Sequence, residues 1–212
     1  MSIFVSTRGG NKNEYVPVAY EFITEAFLAY ETGILSESNA QENAITSMIG
    51  TLCMISTFDD SDYEVLITKV TQYAARLLKK ASQCKMVMHC SHLFYSLRDT
   101  GYKNPQRVLE CLQRALKLAD ICVSASPSDL QLFVDILDCY LYHFEKKNPV
   151  ITDRYISGLI ALINEHIVTI GINPAISDAR KHFIRTVQYI EAKKSNDQTS
   201  QQFEKIVCTI PA

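Results

Sequence analysis

The residue types best suited to chemistry lie near the middle of the chain, where two cysteines and two histidines come close together. Cys84, His89, Cys90 and His92 are of the ligand types that zinc prefers. On one helix His89 and His92 share a face, but Cys90 points about 100° away from His89. No CxxC or HxxxH pair elsewhere completes a tetrahedral set. We interpret the group as packed thiols and partly exposed histidines, and expect neither a metal nor a cofactor.

A second group of possible ligands is acidic and consists of Asp59, Asp60, Asp62 and Glu64. If Asp60 took the first position of a calcium-binding EF-hand loop, Val65 would replace the turn glycine. Thr71 would replace the bidentate glutamate. Such a loop would not form. Carboxylates at the start of a helix interact favourably with its dipole, so we predict that a helix begins here.

Motifs for nucleophilic catalysis or nucleotide binding are absent from the sequence. It contains no G-x-S-x-G, no phosphate loop, no G-x-G-x-x-G and no kinase signature. A cysteine–histidine pair assembled by folding would remain as an enzyme hypothesis, and one unusually reactive thiol would reveal it. No cysteine stands out, and we expect the protein not to be an enzyme.

The overall composition favours a globular helical protein. The 212 residues are 47% hydrophobic and 21% charged, which argues against disorder. A net charge of −2 creates no field that would attract nucleic acid. Only seven Gly and six Pro leave few tight turns for a β fold. The seven scattered cysteines indicate reduced thiols in a cytosolic protein.

Four Xaa-Pro steps punctuate the second half of the chain at intervals of 22, 22 and 25 residues: Asn104-Pro105, Ser126-Pro127, Asn148-Pro149 and Asn173-Pro174. Asn and Ser are good N-caps, and Pro is tolerated at the first helical position. In the first half, Ser38 with Gln41 and Ser61 with Glu64 have capping-box spacing. Apolar residues between these signals keep the i, i+3, i+4, i+7 spacing of amphipathic helices.

These signals predict helices near 17–32, 38–57, 62–80, 84–98, 105–124, 127–147, 150–169 and 176–194. Paired into hairpins of about 40 residues, they indicate an all-α fold, a right-handed α-solenoid of HEAT-like antiparallel helix hairpins. We assign 1–15 to a loose N-terminal segment, 16–194 to the solenoid and 195–212 to a polar linker with a short apolar tail. The sequence does not decide whether this tail docks.

Some aromatic and charged residues remain once the core stripes are assigned. His92 and Tyr95 are three positions apart, and Asp135, Asp138 and Tyr142 share a helix face beside the core stripe. Such residues suit a protein-binding surface, since aromatic anchors dominate interface energies, although buried, hydrogen-bonded tyrosines explain the pattern equally well. A basic group of Arg76, Lys79, Lys80 and Lys85 fits either a helix C-terminus or a docking patch for an acidic surface.

Several segments, in order, resemble one known family: VAYEFITEAFLAYE (18–31), ESNAQENAITSMIGTL (37–52), RLLKK (76–80), CSHLFY (90–95), RVLECLQRALKLAD (107–120) and LQLFVDILDCYLYHFEKKN (130–148). They are similar to the C-terminal part of the large α-solenoid subunits of retromer, the vacuolar protein sorting-associated protein 35 family. The resemblance covers about residues 16–190.

This resemblance implies a non-catalytic scaffold for retrograde transport from endosome to Golgi, cytoplasmic and peripheral on the endosome membrane through the coat. The expected partner is vacuolar protein sorting-associated protein 29, a subunit with a metallophosphoesterase-like fold. A second copy of the large subunit is also expected, and nucleic acid is not. The alternative is an unrelated helical-repeat adaptor that binds a peptide or protein in its groove.

The resemblance assigns roles to a few residues. CSHLFY matches a family segment ending in Trp, which makes His92 the first candidate contact with the phosphoesterase-fold subunit, while Tyr95 replaces that Trp. Arg76, Lys79 and Lys80 match the basic step suited to self-association. The acidic run expected to pair with that step is reduced here to Glu31.

Overall fold

The computed structural model describes residues 15–34, 38–96 and 101–209 and divides the chain into two compact units, Met1–Asn104 and Pro105–Ala212. Within the described ranges there is no β-strand, only an isolated antiparallel bridge between Tyr95 and Lys103. The all-α prediction is therefore confirmed. The right-handed winding of the hairpins and the assignment of domains remain predictions. The N-terminal segment 1–14, residues 97 and 98 of the predicted fourth helix and the last three residues lie outside the described ranges.

The described residues of the first unit form four α-helices: α1, Val16–Ala29, extended by a π-helical turn Tyr30–Ile34; α2, Ser38–Met54; α3, Asp60–Arg76; and α4, Lys80–Cys90, extended by a 3-10 turn Ser91–Phe94. Their apolar stripes meet in a core around Phe27, Leu52, Val70 and Phe94, each at most 1% exposed. Burying such side chains stabilises the unit by about 1.5–3 kcal/mol each.

The start of α3 corrects one capping prediction. The side chain of Asp59, rather than Ser61, caps the helix, and its Oδ1 accepts hydrogen bonds at 2.8 Å from both Asp62 N–H and Ser61 Oγ–H. These bonds, first the backbone bond from Asp62, lower the pKa of Asp59. A carboxylate both satisfies a free N–H and complements the helix dipole. The side chain of Ser38, needed for the other predicted capping box, is outside the described set.

The second unit contains α5, Pro105–Ala125; α6, Gln131–Glu145, preceded by a 3-10 turn Pro127–Leu130; α7, Asp153–Ile170; α8, Ser177–Lys194, preceded by a 3-10 turn Pro174–Ile176; and α9, Ser200–Phe203. Leu112, Phe133, Ile160 and Phe183 lie in its core, each at most 1% exposed. Most predicted helix ends lie within four residues of those observed.

The Xaa-Pro steps are used in different ways. Asn173 caps as predicted, because its Oδ1 accepts a hydrogen bond from Ala175 N–H at 2.9 Å. Asn148 does not cap α7, which starts three residues later than predicted, at Asp153. Asn148 is instead buried in the turn before it, where its Oδ1 accepts from Val150 N–H at 3.1 Å. Ser126 also makes no side-chain cap.

Helices α6 and α8 lie side by side and run in the same direction. Residue numbers rise together along both helices in the side-chain contacts Gln131–His182, Asp138–Thr186 and Glu145–Tyr189. Two antiparallel helices would give contacts in which one number falls as the other rises. This parallel arrangement, with α7 returning between them in sequence, is expected of successive helix hairpins.

The segment after α8 docks on the same unit, which the sequence left undecided. Phe203 is 1% exposed and meets the ring of Phe144 edge-to-face at a centroid distance of 5.4 Å. Gln202 Nε2–H donates to the Phe144 carbonyl at 2.6 Å, and Val207 N–H donates to Ser157 Oγ at 2.9 Å. The tail is therefore held by both apolar and polar contacts.

Candidate functional site

A groove of about 290 Å³ lies between α6 and α8. Its lining residues are Asp138, Leu141, Tyr142, Glu145, Arg185, Thr186 and Tyr189. Two of the residues predicted to form a binding surface, Asp138 and Tyr142, are thus brought together here. Sequence reasoning missed the contributions of α8, because no spacing rule links residues more than forty positions apart.

Asp138 is held at one end of the groove by donors from α8. Thr186 Oγ1–H donates to its Oδ1 at 2.9 Å, and His182 Nε2 lies 2.8 Å from its Oδ2. Gln131 Nε2 lies 2.7 Å from His182 Nδ1 and donates to Asp135 Oδ1 at 2.6 Å. The predicted site residue Asp135 therefore accepts from its own helix and is not among the groove lining. Because both helices contribute, this network fixes their relative position.

At the other end of the groove, a carboxylate and a tyrosine of the lining lie next to a lysine that is not part of it. Tyr189 Oη–H donates to Glu145 Oε1 at 2.5 Å, and Lys193 Nζ lies 3.8 Å from that oxygen. The Lys193 ammonium also lies 5.1 Å from the centroid of the Tyr189 ring, within cation–π range. Partial burial, followed by the hydrogen bond to Glu145, raises the pKa of Tyr189. The hydroxyl is therefore a donor at neutral pH.

In the first unit, His92 lies in the 3-10 turn that ends α4 and is half-buried. Burial and then the nearby His89 lower its pKa to about 4, so its imidazole is neutral near pH 7. Tyr95 follows in the bridge to Lys103, whose Nζ lies 5.7 Å from the ring centroid. A partner would meet a neutral imidazole and a half-exposed tyrosine here.

The basic turn between α3 and α4 is exposed. Arg76, Lys79 and Lys80 are exposed, and Leu78 between them is 86% exposed. Lys80 Nζ donates to Gln83 Oε1 at 3.1 Å, whereas Arg76 and Lys79 make no ion pair within the described ranges. The turn thus presents positive charge and one apolar side chain to solvent.

Glu31, the remaining acidic residue of the segment expected to pair with such a turn, is engaged within its own unit. Its carboxylate accepts from Tyr73 Oη–H at 2.6 Å and forms an ion pair with Lys69 at 3.2 Å. The hydrogen bond from Tyr73 is the main cause that lowers the pKa of Glu31. This carboxylate joins the end of α1 to α3.

The described part of the chain contains neither a candidate metal site nor a candidate membrane-spanning helix. No three His, Cys, Asp or Glu side chains converge there in a way that could hold a metal ion, and both Cys84 and Cys90 are buried. No described helix has the length and hydropathy needed to cross a bilayer.

Comparison with known proteins gives one consistent family. The sequence model described as vacuolar protein sorting-associated protein 35 matches residues 3–166. Relatives include vacuolar protein sorting-associated protein 35B of Arabidopsis thaliana, 43% identical over 82% of this chain and 23% of the relative. Vacuolar protein sorting-associated protein 35 of Schizosaccharomyces pombe is 34% identical over 92% of this chain and 26% of the relative. The chain spans about a quarter of the length of these relatives.

Proposed function

The chain belongs to the vacuolar protein sorting-associated protein 35 family, and from this membership we propose that it acts as a non-catalytic scaffold in the retromer coat. Its role is to hold another coat subunit during retrograde transport from endosome to Golgi. Its membrane association is peripheral and comes through the assembled coat. The family predicted from the sequence is confirmed, which excludes a helical-repeat adaptor unrelated to this family.

We propose that the partner is vacuolar protein sorting-associated protein 29, the subunit with a metallophosphoesterase-like fold. The observation that carries this proposal is the groove between α6 and α8, where half-exposed Tyr142 and Tyr189 flank charged side chains. Hydrogen bonds between the two helices already fix the side chains of Asp138, Glu145 and Tyr189, so they lose little conformational entropy on binding. On the first unit, His92 and Tyr95 are a separate candidate contact.

Titration calorimetry with the purified partner tests the proposal. We expect wild-type chain to bind, and both His92→Ala and Tyr142→Ala to weaken binding without lowering the unfolding temperature. Tyr155→Ala is the matched control, because this tyrosine is 38% exposed on α7 of the same unit and does not line the groove. Absence of binding by the wild type would refute the proposal, and unchanged affinity of His92→Ala would remove that residue from the site.

We also propose that the basic turn mediates association with a second copy of the large subunit. Arg76 and Lys79 have no intramolecular ion pair in the described ranges, and Leu78 offers an apolar contact. Because Glu31 is engaged by Lys69 and Tyr73, the acidic surface that meets this turn must lie elsewhere. Analytical ultracentrifugation of Lys79→Glu should show a weaker dimer than wild type; equal dimerisation would exclude the turn.

A further inference from the structure

The groove between α6 and α8 contains two carboxylate–tyrosine combinations in succession. In the first, Asp138 and Tyr142 are four residues apart on α6 and therefore share a helix face. In the second, Glu145 of α6 meets Tyr189 of α8. Asp138 and Glu145 are seven residues apart, which places them about 10 Å apart along the helix axis. The two combinations thus lie in one line along the groove.

Only in the second combination does a lysine lie beside the carboxylate. Lys193 places its ammonium 3.8 Å from the Glu145 carboxylate and 5.1 Å from the Tyr189 ring centroid. At the first combination, Lys146 lies 5.9 Å from the Tyr142 ring but forms no ion pair with Asp138. The chain itself therefore places a lysine at the Glu145–Tyr189 combination, whereas the carboxylate of Asp138 has no lysine partner.

The contacts of Asp138 include a histidine and a threonine but no lysine or arginine. Gln131 uses one amide N–H for Asp135 and directs the other towards His182 Nδ1. With Nδ1 of His182 facing this amide N–H, Nε2 is the nitrogen that donates to Asp138. Thr186 is the second donor to this carboxylate. Asp138 remains 40% exposed and no lysine or arginine pairs with it.

We propose that the groove binds a lysine or arginine side chain of the partner, with its charge against Asp138 and its aliphatic stem between Tyr142 and Tyr189. The proposal rests on the proposed function, since it specifies what the partner inserts at that site. Two observations identify the occupant as a cation. Its charge would complement that of Asp138, and Lys193 already lies beside a carboxylate and a tyrosine ring in the same way. A hydrogen-bonded ion pair flanked by aromatic rings combines electrostatic and cation–π attraction.

Arg185 allows the sign of the ligand charge to be tested. It lines the same groove, yet it makes no ion pair with Asp138 or Glu145. If the groove binds a cation, Arg185 repels the ligand, and its removal leaves binding unchanged or stronger. If the groove instead binds an acidic side chain, Arg185 is the attracting group, and its removal weakens binding.

The test is calorimetry of the full chain with the purified partner at low and moderate salt. We expect Asp138→Asn to weaken binding about tenfold to a hundredfold and to reduce its salt dependence. Arg185→Gln should bind equally or more tightly. The matched controls Asp120→Asn and Arg154→Gln change exposed charges on α5 and α7, outside the groove, and should bind like wild type.

Asparagine keeps an acceptor for Thr186, so Asp138→Asn should fold. Tyr142→Leu gives an independent reading, because it removes the aromatic wall and leaves the network around Asp138 untouched. Unchanged binding of both variants, or weaker binding of Arg185→Gln, would overturn the inference while leaving the proposed function standing. Failure of the wild type itself to bind would overturn both.

Discussion

Replacing His92 by Gln should change how the free energy of unfolding depends on pH. Burial lowers the pKa of His92 from 6.5 to about 4 in the folded chain. The unfolded chain has the ordinary value and therefore binds the proton first as the pH falls. Stability is consequently fully present above pH 6.5 and falls as the pH drops towards 4, because protonation favours the unfolded state.

The magnitude follows from the shift. A pKa lowered from 6.5 to about 4 corresponds to about 2.5 pH units at about 1.4 kcal/mol each, or at most about 3.5 kcal/mol. Since His92 is only half-buried, solvent screening reduces this, and we expect about 2 kcal/mol. Glutamine does not titrate between pH 7 and pH 4. The free energy of unfolding of the variant therefore lacks the pH dependence that His92 gives the wild type.

Urea denaturation at intervals between pH 7 and pH 4 measures the effect as the difference between wild type and His92→Gln. Subtraction removes groups common to both proteins, such as Glu31 and Asp59, whose lowered pKa values also make stability fall in acid. A difference that stays constant between pH 7 and pH 4 would show that His92 is as well solvated in the folded chain as in the unfolded one.

Three further predictions concern capping, the tail and the thiols. Asp59→Ala should lower the free energy of unfolding by about 1 kcal/mol in urea denaturation, whereas Ser61→Ala should cost much less, and equal effects would contradict the assigned cap. Phe203→Ala should remove the packing on Phe144 and accelerate hydrogen exchange in residues 200–209 more than in α6; uniform exchange would refute separate docking of the tail. Cys139, whose pKa burial raises to about 12, should resist iodoacetamide at pH 8 in the native chain, and rapid labelling would disprove its burial.

The helices were predictable because local signals determine them. Apolar spacing and Xaa-Pro steps predicted a helix over 105–124, and α5 runs from Pro105 to Ala125. The same type of signal misplaced the start of α7, because Asn148 is buried in a turn through tertiary packing. Asn before Pro predicts a break in the helix, but the fold decides whether its side chain caps the next helix.

The candidate site was only half predictable. Asp138 and Tyr142 were expected to share a face, since helical periodicity within α6 requires it. Thr186 and Tyr189 were missed, because their proximity depends on how α8 packs against α6. Side-chain networks between helices depend on register, which the spacing of one helix does not specify.

The docked tail has a consequence for the surface of the second unit. Phe203 and Ile206, each 1% exposed, shield an apolar strip around Phe144 that would otherwise face solvent. A chain cut after Lys194 would keep α5 to α8 but expose this strip, and shortened chains would adhere to one another through it. Residues 200–209 thus cover apolar surface of the second unit and disfavour association through it.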